Sequence, residues 1–239
     1  MRQNEKKVSQ NEKKLSQNGK KLLQNTTVFV NMKLENFGGE IGMCQSQAEY
    51  QNAIKKNEQN IGISNLYGLS ANDLLSITNQ IDKYPVDLKL ILNHFNISAL
   101  PLDLDALKSN LSDDYKEIEI LGALVSKDSG SAIFYNKNFK EGHRYRFTIA
   151  HELAHACLNG PSNHIEFRIK GIPDNDKEVI ANTFAGALLI PENTLKIVLS
   201  KLILPTVKNL SEIFEVSENV VRARLDYLNI ESKVFGFNA

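Results

Sequence analysis

The stretch "FTIAHELAHACLNG", residues 147–160, constrains this chain more than any other, because it sets two histidines and a glutamate inside a run that otherwise reads as apolar helix. Ala, Leu and Ile dominate between Phe147 and Leu158, Thr148 can cap the start, and "NGP" supplies a stop. On such a helix His151 and His155 are i and i+4, one turn apart on one face, and can grip a single ion. Glu152 is rotated by about 100° from His151, which suits a base that works beside the metal without ligating it. Burying these three groups without partners would be costly, so an incidental origin is the weaker reading. Zinc is the natural ion, since imidazole and carboxylate ligands with an open fourth position favour it.

The third ligand separates the classes of zinc peptidase. A long metzincin pattern would need glycine three and histidine six residues beyond His155; Leu158 and Pro161 stand there, and that class is excluded. Cys157 points to the opposite side of the helix, as a core residue. His164, Glu166, Asp174 and Asp176 remain possible, in what reads as a loop after the helix. The better candidate is Glu178 in "DKEVIANTFAGALLIP", a second helix ending before Pro191 whose small residues let it lie close to the first. Asn182 is four residues on, placed to hold a histidine's free ring N–H or a glutamate carboxylate.

With these motifs in place, "RFTIAHELAH" followed by "E-x-x-x-N-x-F-A-x-x-L-L-I-P" resembles the ImmA/IrrE family of metallopeptidases over about residues 80 to 230. The resemblance implies His151, His155 and Glu178 as zinc ligands and Glu152 as catalytic base. Many relatives carry a second glutamate two residues after the ligand, and here that place holds Ile180. The resemblance also implies the partner, an Xre-type helix-turn-helix repressor of a mobile element or a DNA-damage regulon, cut by the enzyme. The residues themselves support metal-assisted peptide hydrolysis with Glu152 carrying the proton. Tyr135, His143 and Arg146, together with Arg144 and Tyr145, are candidates for stabilising the oxyanion or touching substrate. The alternative function is a non-catalytic, zinc-containing regulatory or antitoxin-type binding module.

Around this centre the expected fold is α+β and zincin-like: mostly helical, a small antiparallel sheet beside the HExxH helix, and C-terminal helices resembling a helix-turn-helix. "PVDLKLILNHFNI" has helical spacing with Pro85 in its first turn, and its His94 has no metal-binding neighbours in sequence. "EIEILGALVS" and "GSAIFYN" read as strands joined by "KDSG" into a hairpin, and "SAIFYN" is a candidate for pairing with extended substrate. We divide the chain into a tail over 1–45, a polar helical linker over 46–84, a peptidase domain over 85–200 and a helical subdomain over 201–239 that closes it. In the last, "TVKNLSEIFEVSENVVRARLDYLNI" offers only Arg222 and Arg224 against Glu218 and Asp226, so direct nucleic-acid binding is not expected.

The tail repeats "QNEKKVS", "QNEKKLS" and "QNGKKLL", with one apolar position per heptad where a coiled coil needs two, and Gly19 weakens any helix. It reads as a solvated basic segment, and Met32 or Met43 could begin a shorter chain. Residues 1–25 carry Arg2 and six lysines against Glu5 and Glu12 and balance an acidic remainder, giving zero net charge over 239 residues. Two cysteines, no apolar leader and no unbroken membrane-length stretch point to a reducing cytoplasm.

Overall fold

The computed structural model describes residues 62–102, 120–127, 130–138, 143–159, 164–169 and 176–237. The repeat tail lies outside the described residues. Chain order is α1 (Ala71–Ile77), α2 (Leu88–His94), β1 (Ile97–Leu102), β2 (Ile120–Lys127), β3 (Gly130–Asn136), α3 (Arg144–Asn159), β4 (His164–Ile169), α4 (Asp176–Leu189), α5 (Glu192–Lys201), α6 (Val207–Phe214) and α7 (Glu218–Tyr227), with single 3-10 turns at Ile63–Leu66 and Glu231–Lys233. The fold is α+β, mostly helical beside one small sheet.

Local chemistry accounts for the helix starts. Ser70 and Asp73 form a reciprocal capping box: the Asp73 amide donates to Ser70 Oγ and the Ser70 amide to Asp73 Oδ2. Pro85 does not open α2 as the sequence suggested. The helix begins three residues later, because the Asp87 carboxylate accepts from the Lys89 and Leu90 amides and so defines the start. Gln80 pins that cap from both sides, accepting from the Asp87 amide at 2.6 Å and donating to its carbonyl at 2.9 Å.

The sheet differs from expectation in being mixed and four-stranded, ordered β1-β3-β2-β4. β2 and β3 form the expected antiparallel hairpin, with Leu124 opposite Ile133. β1 runs parallel to β3, and β4 antiparallel to β2. Both added strands lie at edges. Pro101 in "ISALPL" obscures β1 in the sequence, yet at an edge a missing N–H is tolerated. His164 and Glu166 lie in β4, not in a loop; the alternation of Ile165, Phe167 and Ile169 was the legible signal.

One hydrophobic cluster joins these elements. Ile133 and Leu124 of the sheet, Leu153 of α3, Leu188 of α4, and Phe214 of α6 all belong to it, each completely enclosed. Leu66, Leu74 and Leu75 join the same core, so the described part of the stretch read as a polar linker packs with the rest. Polar ties cross the junctions: Arg146 Nη2 donates to Val86 O at 2.7 Å, Thr194 Oγ1 to Ile81 O at 2.8 Å, and Arg224 Nε to Ile190 O at 3.1 Å.

Candidate metal centre

α3 is buried almost all round. His151 and Glu152 are fully enclosed and His155 nearly so, alongside Ile149, Ala150, Leu153 and Ala154. The helix starts at Arg144, four residues before Thr148, so Thr148 is an interior residue and not the cap; its hydroxyl faces Arg144 O at 3.4 Å. Covered by sheet on one side and α4 on the other, α3 keeps Glu152 away from solvent.

His151, His155 and Glu178 are brought together by α3 and α4. The two Nε2 atoms are 3.0 Å apart, His151 Nε2 is 3.2 Å from Glu178 Oε2, and His155 Nε2 is 3.2 Å from Glu178 Oε1. Asn182 stands one turn after Glu178, and its Oδ1 lies 2.9 Å from His151 Nδ1. With Nδ1 donating to that oxygen, neutral His151 turns the Nε2 lone pair toward the other donors. Three lone-pair donors then aim at one region, an arrangement that repels itself unless a cation sits among them. Ligands held 2.0–2.1 Å from a tetrahedral zinc are spaced by roughly 3.3 Å. The observed separations fit that edge, and the donors could hold a metal ion. Without an ion between them, rings carrying a proton on Nε2 donate to Glu178 instead, and those hydrogen bonds hold its carboxyl far below the ordinary carboxylate range, against the opposing effect of its partial burial. Cys157 takes no part: burial pushes its thiol up to about 12, so it is an inert core group, as its helix position implied.

A comparison with known families matches residues 107–226 to the M78 peptidases, described as the IrrE N-terminal-like domain. The chain belongs to that family. No curated protein matches it. Membership accords with the resemblance read from the two motifs, and with a metallopeptidase as the class of chemistry.

The M78 protein adds a residue to the site that sequence reasoning missed. Gly122 of β2 lies directly against α3 beside Glu152. A Cβ there would fall 2.5 Å from Thr148 Cγ2 and 3.2 Å from Glu152 Oε1. Only a residue without a side chain lets the strand come this close, and the register shift between Ile120 and Gly122 marks the same spot. Glycine inside a strand pattern was the available signal.

The other candidates are placed as follows. Tyr135 pairs with Gly122 across the hairpin, and cross-strand partners share a face, so it stands on the side of the sheet that meets α3. Its ring lies 5.6 Å from that of Tyr145, and burial, then Tyr145, raises its phenol pKa. Arg146 is not brought to the donor atoms: its guanidinium is committed to Val86 O and, at 3.6 Å, to Glu215. His143 sits before α3 with left-handed backbone (φ 59°), eight residues and so about 12 Å along the axis from His151. His94 packs its ring against Phe95 at 4.9 Å. No helix among the described residues is long and apolar enough to cross a membrane.

Proposed function

We propose that the protein is a zinc-dependent endopeptidase that hydrolyses a peptide bond in a protein substrate, an Xre-type helix-turn-helix repressor of a mobile element or stress regulon. The observation that carries the reading is the convergence of His151, His155 and Glu178 with the buried Glu152 carboxylate on the same helix. Three protein ligands leave a coordination position open, which is the arrangement of catalytic rather than structural zinc sites. The substrate class follows from the resemblance to the ImmA/IrrE family alone.

In this mechanism His151, His155 and Glu178 hold the ion, and Asn182 fixes the tautomer and direction of His151. When bound, the ion supplies Lewis acidity to the scissile carbonyl and to water. Glu152 takes one proton from the attacking water, and the oxygen forms the new bond to the carbonyl carbon. The C–N bond then breaks as the same proton passes to the leaving nitrogen, giving a carboxylic acid and an amine. Gly122 keeps β2 against α3 so that the carboxylate has one position. Tyr135, on the sheet face that meets α3, is the remaining candidate for stabilising the oxyanion.

The C-terminal helices serve to close this domain in our reading. Arg224 is on the buried side of α7 with its Nε donating to Ile190 O, and Arg222 donates to Phe237 O of the chain's own end. Neither arginine of the segment resembling a recognition helix is presented for phosphate. This supports a protein partner rather than DNA.

The test is co-expression of wild type and Glu152→Gln with neighbouring repressors, with their sizes read on a gel and bound metal measured. We expect cleavage by the wild type, a loss of about 1,000-fold or more in the variant, and unchanged metal content. Metal bound without cleavage of any neighbouring repressor would replace this reading with a non-catalytic binding module.

A further inference from the structure

α3, α4 and α7 border a recess of about 320 Å³, open to solvent on one side, that the hydrolytic residues do not use. That volume is at the lower end of the ~300–1,000 Å³ typical of ligand sites, enough for one large side chain. We propose that it is the specificity pocket of the peptidase, seating an apolar side chain of the size of Leu, Met or Phe from a substrate residue close to the scissile bond, and rejecting Lys and Arg. The proposal rests on the peptidase reading.

Position comes first. Asn182 both lines the recess and holds His151 Nδ1, and Phe147 lines it with its ring 6.3 Å from that of His151. One imidazole therefore separates the recess from the metal donors. Side chains of an extended peptide advance by about 3.3 Å per residue and alternate in direction. A residue one or two places from the cut bond can reach across that ring, whereas a more distant one has no need of this pocket.

Wall chemistry selects the occupant. Phe147, Val220, Ala223 and Tyr227 present carbon surface. The cation in the wall is Arg224, nearly fully buried, with its guanidinium 5.5 Å from the Tyr227 ring centre and Nε donated to Ile190 O. A second cation entering the recess would meet that charge at close range, and like-charge repulsion opposes its binding. An apolar side chain meets only the aliphatic and aromatic walls.

Gly186 supplies an independent sign that the space is kept open. It lies in the interior of α4, where glycine is less favourable than alanine by ~1 kcal/mol. No neighbour demands it: an added Cβ would come no closer than 3.7 Å to Arg224 Cδ, an ordinary contact. The room a larger residue would occupy is room in the recess.

The experiment exposes zinc-loaded wild type, Gly186→Leu and Gly186→Ala to a library of unstructured random dodecapeptides, with cut sites read by mass spectrometry. We expect one position within two residues of the cut to be enriched about 10-fold or more in Leu, Met and Phe and depleted in Lys and Arg. In Gly186→Leu, kcat/KM for those peptides should fall about 10- to 100-fold and preference should move to Ala and Gly. A smaller shift in the same direction is expected for Gly186→Ala, which carries the test if the leucine variant does not fold. Wild-type cleavage with no apolar preference near the cut, or a preference identical in the variants, overturns the pocket alone. A second arm needs no catalysis: saturation-transfer NMR of Glu152→Gln with N-acetylleucinamide and N-acetyllysinamide. Binding of the leucine probe only, abolished by adding Gly186→Leu, supports the pocket even if the wild type cuts no random peptide, and in that case the repressor co-expression decides the peptidase reading. Absence of both probe binding and peptide cleavage overturns the pocket, and the peptidase reading falls with it only if no repressor is cut in the co-expression.

Discussion

α3 and α6 solve the same packing problem with opposite compositions. α6, Val207–Phe214, is an ordinary amphipathic helix: Val207, Leu210 and Phe214 are buried, Lys208 and Asn209 face water, and Thr206 caps it through the Asn209 amide. α3 is buried on nearly every side and yet keeps two imidazoles and a carboxylate inside. In α6 burial is stabilising by itself. In α3 the enclosed polar groups are costly to bury and are offset by specific partners, Asn182 and Glu178 for the two rings, so its composition serves the site rather than the core. Foldedness and chemistry are thus carried by different parts of one continuous core, and substitutions should separate them.

Phe214→Ala should break the contrast most strongly on the stability side. Removing a fully enclosed aromatic ring is expected to cost about 3–5 kcal/mol, measured by denaturant unfolding, while metal content per folded chain stays the same. An equal loss of metal affinity in the folded fraction would show that the two regions are not separable. On the chemical side, Gly122→Ala should lower kcat by about 100-fold through displacement of Glu152 or Thr148, with metal retained. Adding Thr148→Ser removes the methyl that the new Cβ would strike at 2.5 Å, and partial recovery of kcat would identify close approach as the cause.

Asn182→Ala sharpens the same division at smaller amplitude. Loss of the bond to His151 Nδ1 should weaken metal binding by about 10- to 100-fold in competition with a chelator, and should cost the metal-free protein about 1–3 kcal/mol, less than Phe214→Ala. The smallest effect concerns the apolar side of α3. The Cys157 thiol has its pKa raised from 9.0 to about 12 by burial, so the folded chain keeps a proton that the unfolded chain releases. Its share of stability is therefore full below pH 9 and lost progressively as pH rises toward 12. Cys157→Ala should flatten the alkaline limb of stability against pH, and the native thiol should resist alkylation at pH 7 until the protein is unfolded.

Much of the site was legible because its spacing is local. Two histidines four apart need only a helix to meet, and the same rule paired Glu178 with Asn182. The hairpin was legible for the same reason, since a short polar turn leaves few alternatives. The edge strands were not: Pro101 masks one, and the other was hidden by attention to His164 and Glu166 as ligands. Arg146 misled because proximity in sequence says nothing about direction, and its guanidinium turns to Val86 O and Glu215.

By itself the sequence determined the donor types, their order along the chain and the helices that carry them, because periodicity is a property of neighbouring residues. Tertiary structure decided that α4 approaches α3 closely enough for Glu178 to meet both rings, and that Gly122 lets β2 press on Glu152. It also decided that Phe147, Gly186 and Ala223, which belong to three separate helices, border one recess. Those facts depend on how far apart packed elements sit, a distance set by all the side chains between them at once and written in no single stretch of the chain.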